Sequence, residues 1–273
     1  MLTDQSGPLS SLQNPRIKQI VKLRERKERD ETHLFIIEGY RELIRACDAN
    51  FPIDSLYLCQ ELFLGENENQ LIASLKNKGT KVFPCTPAVF HKISYRDRPD
   101  GLLAVTAQQS SSLHTLDGLL KGVKNPFLVV AEAIEKPGNL GTILRSSDAV
   151  NLNALIVCDK CTDIHNPNVV RASVGTLFTV PVIEAKGEET LAFLKKRGIL
   201  IVAATPSAIT EFTEANLKGP IAIAVGTEQL GLSKAWMEQA DIQVKIPMCG
   251  VADSLNVAMA TTLLLYEAKR QRK

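Results

Sequence analysis

The sequence lacks any long apolar run, any dense set of cysteines and any large excess of one charge. Its apolar stretches are much shorter than the ~20 residues that a membrane-spanning helix needs, so no membrane span is expected. Residues 1–13, interpreted as an N-terminal extension, have neither the apolar core of a signal peptide nor the basic amphipathic pattern of a transit peptide. This absence favours a cytoplasmic protein.

The six cysteines are scattered among apolar runs, without the regular spacing of a secreted disulfide scaffold. Reduced, mostly buried thiols are therefore expected. Cys158 and Cys161 form a single C-x-x-C pair, but no second pair follows, and His165 is the only histidine within a few residues. No metal site is predicted.

The formal net charge is only +2, so a nucleic-acid partner must be argued from where the cations cluster. Residues 16–29 predict one helix with Ile17 and Ile20 on its apolar face, and they contain seven basic and two acidic residues. This pattern is typical of a solvated helix face or of an RNA-contacting patch. The candidate RNA contacts are Arg16, Lys18, Lys22, Arg24, Arg26 and Lys27.

Apolar runs alternate with helical patterns along most of the chain, which predicts an α/β protein in two parts. Residues 14–107 form a small α/β domain, and residues 108–125 are polar and rich in small residues, as in a linker. Residues 126–273 contain five further apolar runs with helical segments between them, which predicts a parallel sheet covered on both faces. The last helix is predicted over 254–270.

Three turns of the second part follow predicted strands, where a parallel sheet usually binds a nucleotide-like ligand. They are residues 137–141, residues 226–231, and residues 246–250 with 254–256. None contains the glycine fingerprint of dinucleotide-binding folds or the phosphate-binding loop of nucleotide hydrolases. Nicotinamide chemistry and nucleotide hydrolysis are therefore disfavoured.

These three turns, in this order, resemble the motifs of the SpoU (TrmH-type) branch of the SPOUT superfamily of RNA methyltransferases. Residues 139–145, Asn-Leu-Gly-Thr-Ile-Leu-Arg, match the first motif. Residues 226–231 match the second, and Ile-Pro-Met at 246–248 with Ser-Leu-Asn-Val at 254–257 matches the third. The stretches at 14–18 and 35–39 are similar to the ribosomal-protein-like substrate-binding domain that many members carry.

The resemblance implies a deep trefoil knot in the second domain and a homodimer whose active site is completed across the interface. It implies S-adenosylmethionine as cofactor and methylation of a ribose 2′-hydroxyl in structured RNA. Ribosomal RNA is preferred over transfer RNA, because an added recognition domain of this type suggests a folded ribosomal target. The alternatives are a base-methylating enzyme and a non-catalytic RNA-binding or ribosome-assembly factor with the same fold.

The resemblance also implies roles for individual residues. The cofactor-binding candidates are Thr205, Gly226, Ile246 and Leu255. The catalytic candidates are Arg145, with Asn139, Glu228, Ser254 and Asn256 as its polar surroundings. Because a guanidinium has no lone pair ready to accept a proton, our hypothesis is that Arg145 grips a phosphate and lowers the pKa of the ribose hydroxyl.

Overall fold

The computed structural model describes residues 7–159 and 162–272, so Cys161 of the C-x-x-C pair and part of the predicted extension lie outside the described residues. The helices are α1 Pro15–Lys22, α2 Arg26–Thr32, α3 Tyr40–Asp48, α4 Glu68–Asn77, α5 Pro87–Ile93, α6 Leu113–Leu119, α7 Pro137–Ala149, α8 Pro167–Ser173, α9 Gly187–Lys196, α10 Lys234–Gln239 and α11 Val257–Gln271. The strands are β1 Leu34–Glu38, β2 Ser55–Leu58, β3 Lys81–Pro84, β4 Leu102–Ala107, β5 Phe127–Glu132, β6 Ala154–Cys158, β7 Val182–Ala185, β8 Leu200–Ala204, β9 Thr210–Glu211, β10 Ile221–Val225 and β11 Ile242–Lys245.

The chain divides into two compact units. Unit 1 contains the residues up to Gln109 together with His165–Phe178, and unit 2 contains Ser110–Ile164 and the residues from Thr179 onward. Two features differ from the predicted division: α6 lies inside the predicted linker, and residues 165–178 belong to unit 1 although their position in the chain suggested the second domain. The predicted domain limits otherwise stay a prediction.

Unit 1 is built on a four-stranded mixed sheet in the order β1-β4-β2-β3. Successive residues of a strand face opposite sides of a sheet, and β1 follows this rule: Phe35 and Ile37 join one apolar cluster, and Ile36 joins the other. Segment 165–178 belongs to this unit because Val170 is buried in the first cluster and the ring of His165 lies 4.6 Å from that of Phe35.

The prediction of one helix over residues 16–29 is wrong, because α1 and α2 are separate helices joined by a tight junction. Leu23 is fully buried at this junction. Arg29, which is 1% exposed, donates hydrogen bonds to the carbonyls of Leu23 at 2.9 Å and Arg24 at 2.8 Å. The buried guanidinium thus satisfies carbonyl groups that a continuous helix would have paired along its own backbone.

Unit 2 is built on a seven-stranded sheet in the order β7-β6-β5-β10-β8-β11-β9, and every recorded strand pair is parallel. The predicted parallel sheet is therefore confirmed. Residues of α6, α9 and α10 share an apolar cluster with alternate residues of β5 and β10, whereas α11 packs against β10 and α7. The sequence did not predict β7 or β9, since both are short and lie at the sheet edges.

The crossover order of unit 2 brings β10 between β5 and β8, although β6, β7, β8 and β9 separate β5 from β10 along the chain. The strands at the centre of the sheet are consequently contributed by distant parts of the sequence. The trefoil knot implied by the family resemblance stays a prediction.

Over the described ranges, no helix is both long and apolar enough to cross a membrane. The same residues include no group of three or more histidine, cysteine or acidic side chains that could hold a metal ion. Four cysteines in these ranges, Cys47, Cys59, Cys85 and Cys158, are buried. Burial raises the pKa of the Cys85 thiol to about 12, so this thiol is protonated at neutral pH.

Replacing Arg29 with Met is expected to lower the free energy of unfolding by about 2 to 3 kcal/mol, because the substitution leaves buried carbonyls without donors. Urea unfolding would measure the change. The control is Arg26→Met, which removes an exposed cation paired with Asp30 at 3.4 Å and is expected to cost less than about 1 kcal/mol. Equal losses in the two variants would contradict this account of the junction.

Candidate active site

A cavity of about 340 Å³ lies in unit 2 beyond the carboxyl ends of β8, β10 and β11. These three strands are neighbours in the order β10-β8-β11, so the loops that follow them meet at one edge of the sheet. The volume falls in the range of about 300 to 1,000 Å³ that is usual for small-molecule sites. The structure therefore provides a ligand-sized cavity at the place where the sequence analysis expected one.

The cavity brings together residues from the second and third motifs and from the loop after β8. The predicted site residues that line it are Thr205, Gly226, Glu228, Ile246, Ser254 and Leu255. Asn139, Arg145 and Asn256 are not among its lining residues. Leu255 and its neighbour Ser254 were expected inside the last helix, but they precede it, because Asn256 caps the helix.

Gly226 allows two segments of backbone to approach closely in the second motif. A Cβ atom at this position would overlap the backbone of Gly231 and the nitrogen of Leu232. The turn is closed by reciprocal hydrogen bonds of 3.0 Å between the backbones of Thr227 and Gly231, and Gly231 has a φ of +68°. Position 226 requires glycine because there is no space for a Cβ atom, and position 231 favours glycine because its backbone is left-handed.

The charges of the lining residues are all of one sign. Glu228 and Asp253 contribute carboxylates, and the cavity lining within the described part of the chain contains no lysine, arginine or histidine. Apolar side chains such as Val225, Ile246 and Leu264 form much of the remaining wall. Such a lining disfavours a di- or triphosphate, because it offers no cation to a phosphate group.

A polar network joins the three motifs beside the cavity. The Asn139 side-chain amide donates a hydrogen bond to Oε1 of Glu228, and its oxygen accepts one from Asn256 Nδ2 at 3.1 Å. Asn256 in turn caps α11 by accepting from the backbone nitrogen of Ala258 at 3.0 Å. The first turn of α7, the turn after β10 and the start of α11 are thus held by one carboxamide.

Lys136 adds a cation to this network that the sequence analysis did not single out. Its ammonium lies 3.3 Å from Oε2 of Glu228, so each oxygen of that carboxylate has a partner. Asp253, which lines the cavity, was also not among the predicted site residues. One sequence signal could have indicated Lys136: it stands directly before Pro137 and Gly138, where α7 begins.

Arg145 lies on the exposed side of α7 and does not line the cavity. It makes no hydrogen bond or ion pair with any residue that the structure describes. The opposite side of the helix is buried, and Ser146 Oγ lies 2.6 Å from Thr262 Oγ1 of α11. The arginine is thus presented outward from the same helix whose first turn holds Asn139.

The six candidate RNA contacts have different surroundings in unit 1. Arg26 and Lys27 pair with carboxylates one turn further along α2, whereas Lys18 and Lys22 are exposed. Arg16 is exposed and its guanidinium lies 4.5 Å from the centre of the Phe83 ring. Arg24 donates to main-chain carbonyls and is half-buried.

Gly226→Ala is expected to weaken binding of S-adenosylmethionine, the cofactor implied by the sequence resemblance, at least tenfold. The added methyl would push the backbone of Gly231 and Leu232 away and reshape the cavity. Isothermal titration calorimetry would measure the affinity. Gly219→Ala serves as the control, because nothing lies within 4 Å of a Cβ atom there; comparable weakening by both substitutions would contradict the prediction.

Comparison with known proteins identifies relatives over both parts of the chain. A family model described as the SpoU rRNA Methylase family matches residues 126–266, and one described as an MRM3-like substrate binding domain matches residues 14–104. The chain is similar to the 23S rRNA (guanosine-2'-O-)-methyltransferase RlmB of Shewanella oneidensis, with 34% identity over 210 residues, covering 76% of this chain and 85% of the relative.

Two solved structures are similar over nearly the whole chain. A crystal structure described as an RNA 2'-O ribose methyltransferase has 39% identity and a TM-score of 0.82, covering 97% of this chain and 99% of its own. An AdoMet-bound rRNA methyltransferase from Sinorhizobium meliloti has 30% identity and a TM-score of 0.86, covering 97% of each chain. The similarity thus includes both units.

Proposed function

The chain belongs to the SpoU rRNA methylase family, and from this membership we infer that it is an enzyme that methylates a ribose 2′-hydroxyl of ribosomal RNA. The observation that carries this proposal is the cavity, because residues from the second and third motifs line it and Asn139 of the first motif is bonded to its wall. We propose 23S rRNA as the substrate, since the Shewanella relative is named for that RNA. Cytoplasmic location is part of the proposal.

The proposed cofactor is S-adenosylmethionine, and the cavity suits it in charge and in shape. When bound, S-adenosylmethionine supplies an electrophilic methyl group on a positively charged sulfur. The Asp253 carboxylate lines the cavity, forms no ion pair in the described ranges and favours a cationic centre, whereas Glu228 is already paired with Lys136. The missing Cβ at Gly226 lets the backbone of Gly231 pack closely and so shapes the wall. The AdoMet-bound relative from Sinorhizobium meliloti supports the same cofactor.

We assign the cavity wall to four residues and the polar rim to three. Thr205, Gly226, Ile246 and Leu255 form the wall, where apolar side chains exclude water from the reacting centre. Glu228, Ser254 and Asn256 form the rim, and Asn139 orients Glu228 by donating to one of its oxygens. Holding the two reactants in a fixed geometry can lower the free-energy barrier of methyl transfer by about 7 to 11 kcal/mol.

We propose a homodimer formed through α7 and α11. Met259, Leu263 and Tyr266 are spaced four and three residues apart on α11 and are 63%, 43% and 54% exposed. Such a stripe of large apolar side chains lies on one helix face and is typical of an interface. Because α11 packs against α7, the same interface would include the exposed side of α7 that carries Arg145.

In this dimer Arg145 would act at the cavity of the partner copy. Arg145 has no partner among the described residues of its own chain, so its five N–H donors are available to a phosphate oxygen next to the target ribose. A cation held there stabilises the alkoxide that forms when the 2′-hydroxyl loses its proton. The proton leaves to phosphate or water, because the guanidinium cannot accept it.

The proposal is tested by incubating the purified protein with labelled S-adenosylmethionine and unmodified 23S rRNA, with transfer RNA as the comparison. We expect label in 23S rRNA at one nucleotide that resists alkaline cleavage, because a 2′-O-methyl group blocks that cleavage. A labelled nucleotide that is still cleaved would indicate base methylation. No transfer to either RNA would favour the non-catalytic factor.

Arg145→Ala is expected to lower kcat/KM at least a hundredfold, because the cation that stabilises the alkoxide is lost. Binding of S-adenosylmethionine should be retained, because the arginine does not line the cavity. Mixing this variant with Gly226→Ala should restore part of the activity, since a heterodimer contains one site with an intact cavity and an intact arginine. Two matched controls, each variant alone at the same total concentration, should show no such gain in activity. Absence of complementation in a verified heterodimer would contradict a site completed across the interface.

A further inference from the structure

We propose that unit 1 binds RNA phosphates through a basic α1–α5 face and that α2 does not contribute. The face is defined as Lys18 and Lys22 on α1 and Lys92 on α5. The inference rests on the proposed function and narrows it to a surface. Of the six candidate contacts predicted from the sequence, this face keeps Lys18 and Lys22. It leaves out Arg24, Arg26 and Lys27, and also Arg16, whose guanidinium lies over the Phe83 ring. It adds Lys92, which was not among the candidates.

The cations of α2 are already neutralised. Arg26 lies 3.4 Å from Asp30 and Lys27 lies 3.8 Å from Glu31, each pair one turn apart on the same helix. A phosphate that approached either cation would also meet its carboxylate partner. The net attraction for RNA at α2 is therefore small.

Lys18, Lys22 and Lys92 have no such partner. All three are exposed, and none forms an ion pair within residues 7–159 and 162–272. Lys18 and Lys22 are four residues apart on α1, which places their Cβ atoms about 5 to 6 Å from each other on one face of the helix. Their charges are available for phosphates of a single RNA backbone.

The packing of α1 on α5 fixes the third lysine relative to the first two. Ile17 and Ile20 of α1 share an apolar cluster with Val89 and Phe90 of α5. The three lysines are exposed and do not enter this cluster. Buried isoleucine and phenylalanine side chains thus hold two basic helices side by side.

Arg24 ties the end of α1 to the end of α5. Its guanidinium donates to the carbonyl of Lys92 at 2.9 Å and to that of Ser94 at 2.6 Å. These donors are therefore engaged with the protein and not with RNA, so Arg24 is a positioning residue for Lys92. It holds the backbone of Lys92 beside the junction that follows Lys22.

RNA is the partner that fits this face. A phosphate backbone carries regularly spaced negative charges and binds lysines without regard to sequence, and each contact releases counterions. Three contacts from one face would orient the RNA while base recognition is left to other groups. The alternative partner is an acidic protein, and the test must distinguish it from RNA.

The test compares two triple variants in full-length protein. Lys18→Gln with Lys22→Gln and Lys92→Gln removes the three lysines of the proposed face. The matched control is Arg26→Gln with Lys27→Gln and Lys234→Gln, which removes three cations that each pair with a carboxylate four residues on. Affinity for a 23S rRNA fragment is measured by filter binding over a range of salt concentrations.

We expect the first variant to lose at least tenfold in RNA affinity at low salt, with the slope of log affinity against log salt reduced by about 2, since each phosphate contact contributes about 0.7 to 0.9. The KM for RNA should rise, and S-adenosylmethionine affinity should not change. The control should lose less than threefold. The charge-retaining variant Lys18→Arg with Lys22→Arg and Lys92→Arg should keep most of the wild-type affinity, because the positive charges remain. Unchanged S-adenosylmethionine affinity in the Gln variant shows that its methyltransferase unit is folded.

Equal losses in the first variant and the control, or an unchanged salt slope in the first variant, would overturn the proposal. An unchanged RNA affinity together with loss of a bound acidic protein would point to the alternative partner and would also overturn it. Failure of the proposed function is distinguishable, because the wild-type protein would then transfer no methyl group to rRNA at all.

Discussion

The carboxamide of Asn139 is the contact on which the candidate active site depends. Parallel strands end at one edge of a sheet, but the loops that follow them have no backbone pairing to hold them there. One side chain with both donors and an acceptor can join two such loops, and Asn139 does so by donating to Glu228 and accepting from Asn256. The cavity keeps its shape because this link fixes the turn after β10 relative to the start of α11.

The cavity and the surface of unit 1 use opposite charges for opposite partners. Asp253 gives the cavity a negative charge that suits a cationic cofactor, and no cation lines the cavity within the described residues. The exposed lysines of α1 and α5 are unpaired and suit a polyanion. A net charge of only +2 hides this separation, because formal charge sums over both regions.

Basic residues of a single short segment have three different roles in unit 1. Arg29 is buried and satisfies main-chain carbonyls, and Arg24 joins two helix ends in the same way. Arg26 is exposed but paired, and Lys22 is exposed and unpaired. Burial and the nearest acceptor decide these roles, which is why a count of cations in the segment overestimated the surface available to RNA.

The sequence by itself determined the family, the parallel sheet and the residues of the three motifs, because apolar periodicity and ordered turn residues are local properties. It could not determine that α1 and α2 are separate helices, since the buried position of Arg29 depends on packing. Nor could it show that residues 165–178 fold with unit 1, or that Lys136 meets Glu228. Only tertiary structure decided these points, because each depends on contacts between residues that are distant in the chain or on the burial of one side chain.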